Sequence, residues 1–292
     1  MTALHYRGRF APSPTGPLHF GSLVTAVASF LEAKAQHGLW LVRIEDLDPL
    51  REPPGAADII VRSLDAHGLH SDEPIRYQSR RHDAFAMAIE QLTANQSAYP
   101  CPCSRKLLQA TQGRHVNGCR DGSLMPGDQP HAIRFALTNE ESCWQDLILG
   151  PQRQVVRAEI DDPVIRRKEG FYAYQLAVVV DDIDQGITDV VRGSDLLDMT
   201  AQQQQIFQAL GARAPNWLHI PVILNSEGQK LSKQSGAPAL DDRQAGINVW
   251  RALAALGQAP PEELRKENPA SILAWGIASY DRKRLPDKPQ KS

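Results

Sequence analysis

The strongest chemical motif lies near the amino terminus and reads RFAPSPTGPLHFGS over residues 9–22. A predicted strand runs into a Pro/Gly loop, and a helix predicted over residues 21–36 follows. Free N–H groups and the helix dipole at such a start form a site suited to nucleotide phosphates. Gly21 and Ser22 lie at this start, and His19 precedes them. His19 can donate to a phosphate oxygen, although a loop histidine taken alone is more often structural.

A second motif, KLSKQ, lies far downstream over residues 230–234. Lys230 and Lys233 flank the hydroxyl of Ser232, and two such cations could clamp a triphosphate while charge moves to the leaving pyrophosphate. Taken alone, the segment is better explained as a solvated lysine-rich loop. Its interpretation as a triphosphate-binding segment depends on the presence of the first motif.

A third group of residues has the composition of a metal site. Cys101, Cys103, His115 and Cys119 fall within one short Pro/Gly-rich segment. Three thiolates and an imidazole match a closed tetrahedral zinc site, and metal would stabilise a segment too small for its own core. His131 is an alternative fourth ligand, and reduced cysteines without metal are the other reading. We expect Zn²⁺, structural, one per chain.

The composition is that of an ordinary globular protein. The chain has 292 residues, of which 42% are hydrophobic and 23% charged, and it lacks an apolar run long enough to span a bilayer or act as a signal peptide. We therefore expect a cytoplasmic protein. Four cysteines argue against a disulfide scaffold, and the isolated Cys143 is predicted to be a small buried hydrophobe.

The net charge of −2 does not indicate an RNA partner. Local basic groups could bind RNA or could simply be solvated. They are Arg76, Arg80, Arg81, Arg282, Lys283, Arg284 and Lys288.

Strands and helices alternate in the pattern, which predicts an α/β fold with a parallel sheet covered by helices. Strands are predicted over residues 6–10, 39–44, 132–137, 164–167, 174–180 and 218–224. Helices are predicted over residues 21–36, 56–67, 81–94, 195–210, 249–256, 261–266 and 271–279.

The two nucleotide-site motifs resemble the signature segments of class I aminoacyl-tRNA synthetases. PLHFGS at residues 17–22 is similar to their His-Ile-Gly-His signature, and KLSKQ to their Lys-Met-Ser-Lys-Ser loop. Residues 9–22, 43–48, 174–182 and 187–195 together resemble the glutamyl branch of that class. The resemblance implies a Rossmann-type catalytic domain with a zinc-bearing insertion and a small helical C-terminal region.

The resemblance covers roughly residues 5–240. It implies two catalytic halves, 1–97 and 171–240, an acceptor-like zinc insertion at 98–170, and short helices at 241–292 without an anticodon-binding domain. This architecture resembles the family of glutamyl-Q tRNA(Asp) synthetases, truncated paralogues of glutamyl-tRNA synthetases. That family activates glutamate without tRNA and attaches it to queuosine in the anticodon loop of tRNA(Asp).

The resemblance also assigns residues to roles. Arginines suit the carboxylates of L-glutamate, Glu45 its ammonium group, and Tyr174 adds a hydroxyl. The expected glutamate-binding residues are Arg9, Phe10, Ala11, Pro12, Ser13, Glu45, Tyr174 and Arg192. The expected ATP-binding residues are His19, Gly21, Ser22, Lys230, Ser232 and Lys233. Among these His19, Lys230 and Lys233 are the expected catalytic residues.

The chain departs from the family pattern at three positions. Ser22 replaces the second signature histidine, Gln234 replaces the last serine of the lysine loop, and His115 stands where the insertion often has tyrosine. We expect Gln234 to affect rate more than function.

The implied reaction uses ATP with Mg²⁺ to form glutamyl-adenylate, and a hydroxyl of queuosine then takes the acyl group. We expect no membrane association and no obligatory protein partner. Two alternatives stay open. The chain could be a truncated glutamyl-tRNA synthetase that charges a tRNA 3′ end, or a non-catalytic paralogue that binds RNA or a nucleotide.

Overall fold

The computed structural model describes residues 5–115, 118–122, 129–225, 227–231 and 237–291. The strands within these ranges are β1 Arg7–Phe10, β2 Leu39–Ile44, β3 Arg76–Tyr77, β4 Ala98–Cys101, β5 Ala132–Phe135, β6 Glu141–Asp146, β7 Gly150–Val155, β8 Val164–Arg166, β9 Asp189–Gly193, β10 Asn216–Ile220, β11 Ile223–Leu224 and β12 Gln290–Lys291. The α-helices are α1 Phe20–Ala35, α2 Ala56–Ala66, α3 His82–Ala94, α4 Arg105–Ala110, α5 Tyr174–Asp184, α6 Thr200–Ala209, α7 Ala245–Ala255 and α8 Pro269–Ser279.

Two groups of parallel strands lie side by side. β1 pairs with β2, and β2 with β3. β9 pairs with β10, and β10 with β6, which forms an antiparallel hairpin with β7. The groups adjoin where the Thr188 N–H donates to the Arg7 carbonyl at 3.0 Å. The predicted parallel sheet is therefore confirmed.

Helix α1 forms the centre of the core. Its predicted apolar positions Leu23, Val27, Phe30 and Leu31 are buried, and the helix packs on β1, β2 and β9 from one side and on α7 and α8 from the other. A helix covered on two sides needs apolar residues around most of its circumference, as α1 has. It connects the sheet to the helical C-terminal region.

The strand predicted over residues 174–180 is wrong, because these residues begin helix α5. The run from Leu176 to Val180 is buried at every position, so it shows neither a strand nor a helix period. Valine has an intrinsic propensity for strands, but the packing of this segment against α3, α6 and β8 stabilises the helix instead.

Other predictions needed smaller corrections. The helix predicted over residues 195–210 is a 3-10 helix, Ser194–Met199, followed by α6. Strands β3, β4, β6, β7, β9 and β12 and helix α4 were missed. Cys143, predicted to be buried, is exposed because it lies on the solvent face of the β6–β7 hairpin.

The segment expected to be an insertion opens with β4, which joins β5 and β8 in an antiparallel sheet. Helix α4 and the cysteine loop lie between β4 and β5. The proposed division into domains stays a prediction.

A buried carboxylate fastens the C-terminal region to α1. Glu32 is fully buried, accepts a hydrogen bond from the Tyr280 hydroxyl, and forms a bidentate pair with Arg282, both contacts at 2.7 Å. Arg282 was grouped with possible RNA-contacting cations, and in the structure it is a half-buried ion-pair partner.

None of the helices in the described ranges is long and apolar enough to cross a membrane.

We predict that Arg282→Ala lowers the free energy of unfolding by about 1–3 kcal/mol, because it leaves the buried Glu32 carboxylate with the Tyr280 hydroxyl as its main partner. Lys283→Ala is the matched control, since Lys283 is exposed and next in sequence. Urea unfolding measures both. Equal midpoints for the two variants would contradict the role of this pair.

Candidate active site and metal centre

The loop between β1 and α1 presents His19 at the start of the helix. His19 is the N-cap residue, and its Nδ1 accepts the Ser22 N–H at 3.2 Å. A neutral ring in this arrangement carries its proton on Nε2 and can donate it to a ligand. Gly21 packs against the ring, since a Cβ there would lie 3.2 Å from His19 Nδ1. Close contact thus fixes the histidine in place.

A cleft of about 350 Å³ opens in front of this helix start. Pro12, Ser13, His19, Gly21 and Ser22 line one side, together with Phe10. Residues after β9, after β10 and in the lysine segment line the opposite side. They are Gly193, Asp195, Leu196, Ile220, Pro221, Val222, Ile223 and Lys230. Lys230, which opens the second motif, therefore lies across one cleft from the first motif, although some 200 residues separate them.

Lys230 lies on the rim of this cleft. Its Nζ contacts Asp195 Oδ2 at 2.6 Å. Ser232 and Lys233, the other expected members of the lysine motif, lie outside the described residues. Ala11 belongs to the same β1–α1 loop as Ser13 and is half-buried.

A buried network of charges lies behind the cleft. Asp182 of α5 contacts Arg9 at 3.1 Å and Arg43 at 2.8 Å, and Arg43 reaches Glu45 at 3.4 Å. All four residues are at most 7% exposed. Gln185 accepts from Arg43 at 2.8 Å. The network joins β1, β2 and α5 and places Arg9 and Glu45 together.

The pKa values of the two buried carboxyl groups, Glu45 and Asp182, are shifted in opposite directions. Burial raises the pKa of Glu45 to about 7, and the nearby Arg43 and Arg9 only partly oppose this. Burial also disfavours the charged form of Asp182, but Arg9 and Arg43 outweigh it and hold its pKa below the usual value. Asp182 is thus a permanent anion, whereas Glu45 titrates near neutral pH.

Arg192 of β9 lies close by and has different partners. Its guanidinium donates to His219 at 3.0 Å, to Gln203 at 2.7 Å and to Thr200 at 2.9 Å. It also stacks on Trp217, at 4.4 Å from the ring centroid. Burial lowers the pKa of Arg192. Within the described ranges, no carboxylate lies within ion-pair distance of this arginine.

Tyr174 completes the group of predicted glutamate ligands. It begins α5, is half-buried, and burial raises the pKa of its hydroxyl. The charges of Arg192, Glu45 and Arg9 all act on that hydroxyl. The structure therefore brings together the four expected residues whose side chains could bind an amino acid.

Several members of this site were not predicted. Arg43 was quoted only within a motif, although it lies two residues before Glu45, which directly follows β2, and this spacing places both on one face of the extended chain. Asp182 was hidden by the wrong strand assignment, because a helix from Tyr174 would have placed it two turns along on the same side. No sequence signal marked His219 or Asp146.

The four predicted metal ligands form one cluster. The ligand atoms of Cys101, Cys103, His115 and Cys119 all lie within 4.8 Å of one another. Cys101 Sγ is 3.3 Å from His115 Nδ1, and the sulfurs of Cys103 and Cys119 are 3.4 Å apart. His131 contacts the Gln129 carbonyl instead and is not in the cluster.

The donor set fits a divalent metal ion. Burial raises the pKa of Cys103, and burial and the adjacent sulfurs raise the pKa of Cys119 to about 12. Burial lowers the pKa of His115. Three crowded thiols and a neutral imidazole have no cation among the protein groups of the cluster, and zinc would supply the charge that their thiolates require.

We predict that the purified protein contains about one zinc per chain and that Cys119→Ser loses it, with a lower midpoint of unfolding. Cys143→Ser is the matched control, because Cys143 is exposed and outside the cluster. Elemental analysis and urea unfolding test this. A metal-free wild type with full stability would overturn the site.

One known protein family and several known proteins are similar to this chain. The family described as "tRNA synthetases class I (E and Q), catalytic domain" matches residues 5–246. A glutamyl-Q tRNA(Asp) synthetase of Pseudomonas aeruginosa is 48% identical over 96% of this chain and 95% of its own length. A protein of the same name from Chromobacterium violaceum is 47% identical over 99% of this chain and 98% of its own.

A solved structure is also similar. A glutamate tRNA ligase from Elizabethkingia meningosepticum, determined in complex with its amino acid, has a TM-score of 0.81 and 26% identity. The match covers 99% of this chain and 67% of the ligase. The chain therefore belongs to the class I tRNA synthetases of the glutamate and glutamine branch, within the family of glutamyl-Q tRNA(Asp) synthetases.

Proposed function

We propose that the chain activates glutamate with ATP, without needing tRNA, and transfers it to the queuosine base of tRNA(Asp). The observation that supports this most is the near full-length identity of 48% to relatives named for this product. In the proposal the glutamate pocket lies between Arg9, Glu45, Tyr174 and Arg192, whose charges suit the first substrate.

Glutamate carries two carboxylates and one ammonium group. In the proposal Arg192 and Arg9 receive the carboxylates, Glu45 in its ionised form receives the ammonium group, and Tyr174 adds a hydrogen bond. Phe10, Ala11, Pro12 and Ser13 form the wall of the pocket from the β1–α1 loop. The loop is held against Glu45, whose N–H donates to the Pro12 carbonyl at 3.0 Å.

ATP would occupy the adjoining cleft with its phosphates at the start of α1. The glutamate carboxylate attacks the α-phosphorus, and pyrophosphate leaves. A hydroxyl of queuosine then attacks the acyl carbon, and AMP leaves. In the proposal His19, the amides of Gly21 and Ser22, Lys230, Ser232 and Lys233 stabilise the charge that develops on the phosphates. Mg²⁺ bound with ATP would neutralise part of the phosphate charge.

The zinc cluster in this proposal is structural, because three thiolates and one imidazole close the coordination sphere. We assign residues 98–170 to the insertion, 1–97 and 171–240 to the catalytic domain, and 241–292 to the helical C-terminal region.

The insertion also offers a surface for RNA. A cavity of about 500 Å³ beside Cys101 and Cys103 is lined by several cations and one acid. These are Arg105, Arg134, Arg167, Lys168 and Glu169. Cations at this density suit a phosphate backbone, despite the negative net charge of the chain.

One alternative is supported by the glutamate tRNA ligase, whose solved structure is similar over 99% of this chain. A protein of that type would esterify the 3′ end of a tRNA. The chemistry of activation is the same, so only the acceptor distinguishes the two functions.

The test is transfer of labelled glutamate, with ATP and Mg²⁺, onto tRNA(Asp) with and without queuosine and onto tRNA(Glu). We expect label only on queuosine-containing tRNA(Asp), and nuclease cleavage should recover it in the anticodon-loop fragment and not in the 3′-terminal fragment. Label on tRNA(Glu), or label in the 3′-terminal fragment, would support the alternative. Lack of transfer to any of these RNAs would contradict both of these functions.

The pKa of Glu45 predicts a pH dependence. Below about pH 7 the free protein holds Glu45 protonated, and binding of the ammonium group requires loss of that proton. The KM for glutamate should therefore rise as pH falls below 7, by about tenfold per pH unit, and level off above 7.

Two variants control this measurement. Glu45→Gln should bind glutamate weakly with a KM that changes little between pH 5.5 and about 8, since its amide does not titrate. Glu73→Gln should keep the wild-type profile, because Glu73 pairs with Arg7 near the surface. A wild-type KM that is independent of pH would contradict the ammonium role of Glu45.

A further inference from the structure

Three buried side chains form a row across neighbouring strands behind the pocket. Asp146 ends β6, His219 lies in β10, and Arg192 lies opposite His219 in β9. The separations are 2.6 Å from Asp146 Oδ2 to His219 Nδ1 and 3.0 Å from His219 Nε2 to Arg192 Nε. We propose that Asp146 and His219 are positioning residues that hold the Arg192 guanidinium in the orientation that receives a substrate carboxylate. This rests on the proposed role of Arg192 in glutamate binding.

The contacts define which nitrogen of His219 carries the proton. Arginine is only a donor, so His219 Nε2 must accept from Arg192. The proton of the neutral ring is then on Nδ1, where it is donated to Asp146. A doubly protonated ring would place an N–H against the N–H of Arg192 and add a second buried positive charge. Asp146 thus selects the tautomer that lets His219 hold the arginine.

The remaining contacts of Arg192 leave its charge available. Beside His219, the guanidinium donates to a side-chain amide, a hydroxyl and the Leu196 carbonyl, all of them neutral acceptors. Arg9, the other proposed carboxylate ligand, is already paired with Asp182. Neutral acceptors fix the plane of the guanidinium group without neutralising its charge. Because no carboxylate of the described residues pairs with Arg192, a substrate carboxylate that enters the pocket would be its first ion-pair partner.

Asp146→Asn changes the tautomer with little disturbance of the fold. Asp146 Oδ1 accepts the N–H groups of Ile148 and Leu149 at 3.0 and 2.9 Å, and an asparagine oxygen can keep both. The asparagine NH₂ would then face His219. The imidazole ring would accept a hydrogen bond from this group on Nδ1 and carry its own proton on Nε2. That proton opposes Arg192, so the guanidinium loses this contact.

Two substitutions of His219 separate its two contacts. In His219→Asn the amide takes the place of Nδ1, so the bond to Asp146 is kept and the contact with Arg192 is lost. In His219→Gln the longer side chain places an oxygen near the Nε2 position, so the contact with Arg192 is kept. Asp72→Asn is the matched control, because Asp72 accepts from the Trp40 N–H and pairs with Lys34 outside this row.

The experiment measures dissociation constants for glutamate and for ATP by calorimetry on the full chain, with urea unfolding beside them. We expect the glutamate constant to rise about tenfold or more in Asp146→Asn and His219→Asn. Recovery is expected in His219→Gln, and the ATP constant and the unfolding midpoint should stay near wild type. Nitrogen NMR of His219 should show a neutral ring protonated on Nδ1 in the wild type and on Nε2 in Asp146→Asn.

The possible failures are distinct. Unchanged glutamate affinity in Asp146→Asn and His219→Asn, or parallel loss of glutamate and ATP binding together with stability, would overturn the positioning role. So would a wild-type ring protonated on Nε2. A wild type that binds glutamate but transfers none to RNA would contradict the proposed function and leave the positioning result standing. A wild type that does not bind glutamate would overturn both.

Discussion

The buried charges around Asp182 are the constraint on which the site depends. Removing two arginines and two carboxyl groups from water is unfavourable unless they contact one another, and breaking one such contact leaves an uncompensated charge. Arg9 comes from β1, Arg43 from β2, Glu45 from the residue that directly follows β2, and Asp182 from α5. The network therefore fixes the helix against β1 and β2, and the loop that follows β1 lines the cleft.

Because of this network, the two arginines of the pocket differ in how much of their charge is already neutralised. Asp182 neutralises much of the charge of Arg9 and Arg43, whereas Arg192 is held by neutral acceptors and by the ring of Trp217. A substrate carboxylate gains most from the cation without an ion pair, and an ammonium group gains most from a carboxylate whose negative charge its neighbours do not fully neutralise. Glu45 meets the second condition because burial outweighs its two arginine neighbours. The pocket is thus polarised before a substrate enters.

The sequence predicted what depends on local signals. The β1–loop–α1 unit, the cysteine cluster with His115 and the parallel sheet are confirmed, because turn residues, metal-ligand types and strand–helix alternation are visible over short stretches. Helix α5 was mistaken for a strand, since burial on all sides removes the hydrophobic period. That wrong assignment also hid Asp182, whereas His219 and Asp146 gave no signal because their role is defined by partners far away in the chain. The roles of the predicted site residues stay predictions.

Glutamate-dependent exchange of pyrophosphate into ATP, measured with no RNA present, tests the central claim most directly. A pocket polarised by its own buried charges should activate glutamate by itself, and glutamine should not replace it because one of the two arginines would face a neutral amide in place of a carboxylate. We predict exchange with glutamate alone. Exchange that requires added tRNA, or that proceeds equally with glutamine, would contradict the account.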